Sequence, residues 1–113
     1  MSIRKQEELI NNTDLSNFTK KCLKTLLAIP YGKVCTYQAI AKHMDSNAHR
    51  AVGSAMAKNP FAPEVPCHRI VRSNGEVGGY AFGSEKKIAL LKSEGIEIKN
   101  NKVVDLENCL YRF

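Results

Sequence analysis

No apolar run in this 113-residue chain approaches the about 18 residues that a membrane-spanning helix requires. The start, Met1-Ser2-Ile3-Arg4-Lys5-Gln6-Glu7-Glu8, lacks an apolar signal core, so nothing is expected to direct export. The cysteines, Cys22, Cys35, Cys67 and Cys109, are widely spaced and form no Cys-x-x-Cys pair. Zinc is therefore not expected, and without a secretory signal four reduced thiols in a cytoplasmic setting are. The chain has no internal repeat, no low-complexity tract and no motif for a cofactor. Acidic residues are scarce in its first part. Residues 1–60 hold nine Lys and Arg against four Asp and Glu, while residues 61–113 hold eight against seven, within a formal net charge of +6. A solvated basic surface explains that imbalance; so does an anionic partner, of which nucleic acid is the commonest.

At this length one domain is expected, with residues 1–15 as a polar lead-in, loose or with a short helix over 7–10, and residues 16–113 as the domain proper. Hydrophobic residues at 43% are enough for a core. Ser16 or Asn17 caps a helix carrying Phe18, Cys22, Leu23, Leu26 and Leu27 at helical spacing, stopped by Pro30-Tyr31-Gly32. Thr36 caps a short helix with Ile40, Ala41 and Met44 inward. Asp45-Ser46-Asn47 turns the chain into a third helix over 48–58, with Ala51, Val52, Ala55 and Met56 on one face and Arg50, Gly53 and Ser54 on the other. Two short helices and a tight turn, the second small-sided and basic, outline a helix-turn-helix. Asn59-Pro60 stops the third helix. Prolines 60, 63 and 66 then deliver the chain stiffly to Cys67. A hairpin across Asn74-Gly75 is expected to join Ile70-Val71 to Glu76-Val77. Ser84 caps a last helix with Ile88, Ala89, Leu90 and Leu91 inside, ended by Gly95, and a second hairpin or wing turns at Asn100-Asn101. The fold class is mainly α with small β elements, a winged helix-turn-helix-like DNA-binding domain.

Pro66-Cys67-His68-Arg69 carries the chemistry. A lone cysteine is most often a small buried hydrophobe; it becomes useful when its thiolate is accessible and a positive charge or hydrogen-bond network stabilises it. His68 and Arg69 follow Cys67 directly, yet adjacent side chains diverge, so His68 alone is not a simple base for that thiol.

The segment Pro66-Cys67-His68-Arg69-Ile70-Val71 resembles the active-site signature of the O6-alkylguanine-DNA alkyltransferases, the methylated-DNA–protein-cysteine methyltransferases. Further blocks match in order and spacing: Tyr31-Gly32-Lys33-Val34 with Thr36-Tyr37, Arg50-Ala51-Val52-Gly53, Met56 with Asn59-Pro60, Gly78-Gly79-Tyr80, and Ser93-Glu94-Gly95. The similarity spans residues 17–98 and implies the family's C-terminal catalytic domain. It implies that Cys67 is the acceptor thiolate, that His68 takes its proton through a water, and that Glu94 holds and charges the imidazole. By the same resemblance Asn59 braces the turn before the active-site loop. Tyr37 presses on the target phosphate and donates to the guanine leaving group, and Arg50 fills the gap left by a flipped base. Ala51 and Gly53 let their helix enter the minor groove. Met56, Tyr80 and Ala81 line the base pocket, with the carbonyls of Cys67 and Ile70 reading the guanine. The implied partner is double-stranded DNA containing O6-alkylguanine, bound through its minor groove by a monomer; no membrane and no cofactor are implied.

This chain departs from the family in two places. Only residues 1–16 precede the first matching helix, so the separate N-terminal domain of many members, with the zinc site some of them house there, is not expected. Phe82 follows Tyr80-Ala81 where some relatives place small residues, which restricts large O6 substituents. Two other readings compete. Alkyltransferase-like proteins bind the same lesions without repair but carry another residue, commonly Trp, in place of the cysteine. A winged-helix transcription regulator explains the charge and leaves Cys67, His68 and Glu94 without purpose.

Overall fold

Each of the first three helices begins on a hydroxyl that accepts a free backbone N–H of its first turn. The computed structural model describes residues 2–44, 49–61, 65–80 and 82–113. Helix α1 (Ile3–Asn11) starts where Ser2 Oγ accepts from Lys5 N at 3.2 Å. It is longer than the sequence pattern suggested, because Ser2 is a cap and Ile10 is fully buried against the core. Ser16 caps α2 (Asn17–Leu26) by accepting from Thr19 N at 3.1 Å, and Cys22, Leu23 and Leu26 face inward as their spacing predicts. Thr36 caps α3 (Tyr37–His43) through Ala39 N at 3.0 Å, with Ile40 and Ala41 buried.

Helix α4 (His49–Ala57) packs across α2 and α3. Val52, Ala55 and Met56 are buried. Ala51, expected on the same face, is exposed: one residue advances the helix by about 100°, which is enough to turn it off the Val52 side. The turn expected at Asp45-Ser46-Asn47, the helix start at Ala48, and Pro63 lie outside the described residues.

The two elements that position the site are short. Strand β1 (Cys35–Thr36) pairs in parallel with β2 (Ile70–Val71), Cys35 opposite Ile70 and Thr36 opposite Val71. This ladder fixes the start of α3 beside the turn that holds Cys67. The chain end adds to the same side, since Val34 N donates to Cys109 O at 2.8 Å and Tyr111 N to Val34 O at 2.7 Å. The Asn74-Gly75 turn forms, with Gly75 at φ 91°. However, Glu76 and Val77 do not form a ladder with β2 as expected. Beyond one bond from Arg72 N to Glu76 O, Glu76 bridges to Lys102 and Val77 N donates to Asn101 O at 2.9 Å. Ile70 and Val71 are fully buried, with β1 as their ladder partner, and the strand after the turn serves the wing instead.

Helix α5 (Ser84–Ser93) begins one residue after its cap, Gly83 at φ 96°, so Ser84 is its first residue rather than its cap. It closes in a Schellman turn, with Ile96 N donating to Leu91 O at 3.0 Å and Gly95 at φ 88°. Of its expected inner residues only Leu91 is buried; Ala89 is exposed, and Lys87 is fully buried in its place. The wing is β3 (Ile98–Lys99) against antiparallel β4 (Lys102–Val103), turning on Asn100 and Asn101 at φ 52° and 62°. A single turn, α6 (Leu106–Cys109), is the last helix among the described residues. The whole is mainly helical, with α3 and α4 in a helix-turn-helix-like arrangement.

Candidate active site

Cys67 opens a three-residue 3-10 turn, Cys67–Arg69, that leads straight into β2. Its side chain is 5% exposed, and that exposure faces a cleft of about 920 Å³. Arg50, Gly53 and Met56 from α4 form one wall of the cleft, and Tyr37 with Tyr80 the other. Six of the sequence-selected residues therefore meet at one surface, with Cys67 at its floor. Asn74 and Gly79 also line it, as do Gln38, Arg72 and Ser73, which were not singled out from the sequence.

Behind the floor sits a polar knot. His68 is 2% exposed, and its Nε2 lies 2.7 Å from Glu94 Oε2. Arg69 Nε donates to Glu94 Oε1 at 2.8 Å, and a second guanidinium nitrogen donates to Oε2 at 3.1 Å. The third guanidinium nitrogen reaches back to Ile29 O at 2.8 Å. Glu94 is the residue that ends α5, and the turn before β1 holds that same end: Tyr31 OH donates to Ser93 O at 2.7 Å and Gly32 N to Glu94 Oε1 at 3.4 Å. An ionised carboxylate only accepts, so Nε2 carries the imidazole proton and Nδ1 of the neutral ring is an acceptor. Nδ1 is buried and has no hydrogen-bond partner among the described residues; the Tyr80 hydroxyl is in the same condition.

Asn59, buried just past α4, clamps the loop that leads to Cys67. Its Nδ2 donates to Val65 O at 2.7 Å and its Oδ1 accepts from Phe61 N at 2.9 Å. Ile70 is fully buried in β2, and its N–H donates to the Cys67 carbonyl, which leaves that oxygen one further lone pair. Ala51 stands exposed on α4 away from the cleft lining. Ala81 lies outside the described residues.

A sequence model for the DNA binding domain of 6-O-methylguanine DNA methyltransferase matches residues 17–96, a span that contains the cleft and the knot behind it. The chain belongs to this family. A methylated-DNA–protein-cysteine methyltransferase of Methanocaldococcus jannaschii is 40% identical over 104 residues, 88% of this chain and 61% of that protein. One of Saccharolobus solfataricus is 44% identical over 81 residues, 72% of this chain and 52% of the relative. The chain thus spans about half to three-fifths of the length of these curated relatives. Among solved structures, Mycobacterium tuberculosis OGT in complex with DNA superposes with a TM-score of 0.70 at 41% identity, over 72% of this chain and 50% of that one. Schizosaccharomyces pombe Atl1 in complex with damaged DNA containing O6-carboxymethylguanine gives 0.78 at 28% identity, over 89% of this chain and 100% of that one.

The electrostatics of this family member follow from burial opposed by local partners. Burial pushes the Cys67 thiol up, while a hydrogen bond from Asn59 and the charge of Lys87 pull it back. Burial also lowers His68 below the ordinary imidazole value, against the hydrogen bond and charge of Glu94, so the ring is neutral at physiological pH. For Glu94 burial pushes upward, but hydrogen bonds from Arg69 and then His68 outweigh it and hold the carboxyl below its usual range. Tyr37 is raised by burial and by the neighbouring Cys67 charge, which keeps its hydroxyl protonated and able to donate. Cys22 and Cys35 are fully buried, with their thiols raised by burial, and all four cysteines are free.

Proposed function

We propose that this domain repairs O6-alkylguanine in duplex DNA by moving the alkyl group onto Cys67, and that the DNA-binding domain is thereby also the catalytic one. The observation that carries the proposal is the floor of the cleft: a nearly buried thiol beside a neutral histidine whose outer nitrogen is bound to a carboxylate. The thiol proton passes through one water to His68 Nδ1, and Glu94 stabilises the imidazolium. The sulfur lone pair attacks the alkyl carbon. The S–C bond forms as the C–O6 bond breaks, and the electron pair of that bond stays with guanine. Tyr37 gives the guanine its proton and regains one from His68 through solvent. The product is a thioether, a poor leaving group, and neither a second thiol motif nor a cofactor motif accompanies Cys67 to regenerate it. One molecule repairs one lesion.

DNA enters by its minor groove, where lysines and arginines on phosphate supply sequence-independent affinity. The target base leaves the stack for the cleft, where Met56 and Tyr80 flank it and Arg50 occupies its former place. Extrusion costs a few kcal/mol, less for a weakly paired lesion, which favours damaged guanine. A second reading, a protein that binds lesions without repairing them, is favoured by one observation: the chain spans the whole of Atl1. Cys67 stands against it, since pure binding needs neither this thiol nor a charged relay behind it.

Intact mass after mixing with DNA containing O6-methylguanine decides between the two. One added methyl group per chain is expected, mapped by fragmentation to Cys67, with none on Cys67→Ser, which still binds the lesion. An unchanged mass leaves the binding reading, and methylation at Cys22, Cys35 or Cys109 ends the assignment of the acceptor.

A further inference from the structure

Lys87 is the largest fully buried side chain of the described residues, and it is a lysine in a helix of a small domain. The run Ser84-Glu85-Lys86-Lys87 reads as a solvated helix start, and Lys86 is exposed as that reading requires. Lys87 turns inward. Its ammonium donates to the carbonyl of Gly79 at 3.2 Å and stands 5.8 Å above the centre of the Tyr37 ring. Gly79 and Tyr37 line the same cleft as Cys67, so the charge lies directly behind the cleft wall.

A buried charge is tolerated when it is paired, and among the described residues no carboxylate forms an ion pair with Lys87. The carbonyl of Gly79 and the face of Tyr37 satisfy it only in part. The titratable and charged groups around it are Cys67 and His68 from the 3-10 turn, Tyr37 from α3, and Arg72 from the segment after β2. Arg72 repels it and neutral His68 offers it no charge. Tyr37 stays protonated, for burial and the Cys67 charge both raise it. Cys67 is the group left that becomes an anion.

Resting on the alkyl-transfer reading above, we propose that Lys87 is the buried counter-charge of the Cys67 thiolate, a positioning residue that stabilises the nucleophile through space from behind the cleft wall. Burial pulls the ammonium down to about 8 and the Cys67 charge opposes that fall, while Lys87 in turn lowers the thiol. The division of labour is then clear. His68 and Glu94 remove the proton, and Lys87 holds the charge that removal creates. The aliphatic stem alone would pack as well as methionine, and a packing role predicts that methionine replaces it without effect on the thiol.

The test reads the thiol directly. In a Cys109→Ser background, the rate of Cys67 alkylation by iodoacetamide (S–C bond formed, iodide lost with the C–I pair) is followed against pH for wild type, Lys87→Met and Lys87→Arg. Lys87→Met is expected to move the midpoint upward by at least about one unit, roughly tenfold slower near neutrality, with the alkaline plateau retained. Lys87→Arg is expected to restore the midpoint. A folded Lys87→Met protein with an unmoved midpoint overturns the proposal. Should that variant not fold, the reciprocal measurement decides: NMR titration of the Lys87 side chain in wild type and Cys67→Ser. Loss of the thiolate is expected to lower the Lys87 midpoint, and an identical titration overturns the proposal. Methyl transfer from O6-methylguanine DNA is read on the same samples. Its absence from wild type removes the repair reading and leaves the thiol–ammonium coupling to stand or fall on its own data.

Discussion

Glu94 receives hydrogen bonds from His68, from Arg69 through both oxygens, and more weakly from the backbone of Gly32. A carboxylate held from so many sides is a hub, and in the proposed mechanism its charge is what His68 needs when it takes a proton. Replacing Glu94 by Gln removes the charge and keeps the shape. Single-turnover methyl transfer is expected to slow by ~10²–10⁴-fold, the usual worth of general acid–base help, while DNA affinity stays close to wild type. The same substitution has a pH signature. A carboxyl held below its ordinary value in the folded state adds stability that is present above its unfolded value and lost as pH falls through its folded value. Urea unfolding across the acid range should therefore show a flatter loss for Glu94→Gln than for wild type. An unchanged transfer rate takes Glu94 out of the mechanism. At this scale the sequence was legible where residues adjoin in a motif, as Cys67 and His68 do. It was silent on Arg69 as the second holder of Glu94 and on Lys87, because a basic residue in a charged run looks solvated until tertiary packing buries it.

Among the elements, the helices and the wing at Asn100-Asn101 were readable, and the pairing of β1 with β2 was not. Ser16 and Thr36 cap the helices that their positions announce, because capping is local chemistry that one hydroxyl performs. Ile70-Val71 read as a strand but with the wrong partner, and β1 has two residues, too few to show a period, so that only the long-range parallel register identifies it. Yet that register brings Tyr37 beside Cys67. Helix α1 was half legible: its polar residues read as a lead-in, and nothing in the sequence set Ile10 apart from Ile3 and Leu9 as the one side chain of the helix that is buried in the core beside α2. That burial is testable. Ile10→Ala is expected to lower stability by ~2–5 kcal/mol, the range for emptying a buried aliphatic site. In urea the midpoint should fall with the slope unchanged. A loss below about 0.5 kcal/mol, typical of surface sites, would return residues 1–15 to the status of an unpacked lead-in.

At the scale of the whole molecule, the proposed repair requires that DNA binding by a basic domain lead to base extrusion. The helix-turn-helix outline and the charge of +6 were readable from the sequence and suit the proposed binding; neither provides access to a base inside the duplex. Arg50 is the residue on which the distinction rests. It is exposed on α4 at the mouth of the cleft, with Gly53 and Met56 following on the same wall. An arginine that only touches phosphate weakens binding uniformly when removed and lowers the salt slope by about 0.9. An arginine that fills the gap in the stack stabilises the extruded state instead, and its loss falls on substrates that must be extruded. Arg50→Ala is therefore expected to depress transfer strongly on duplex O6-methylguanine DNA and only slightly on free O6-benzylguanine, which has no stack to leave. The comparison requires that wild type react with the benzyl base past the exposed ring of Phe82, and that the variant retain its melting profile. Equal losses on both substrates would make Arg50 a support of the pocket or the fold. Wild-type rates on both would make it a solvated surface arginine, and extrusion would then have to be driven from the other wall, by Tyr37 against the phosphate.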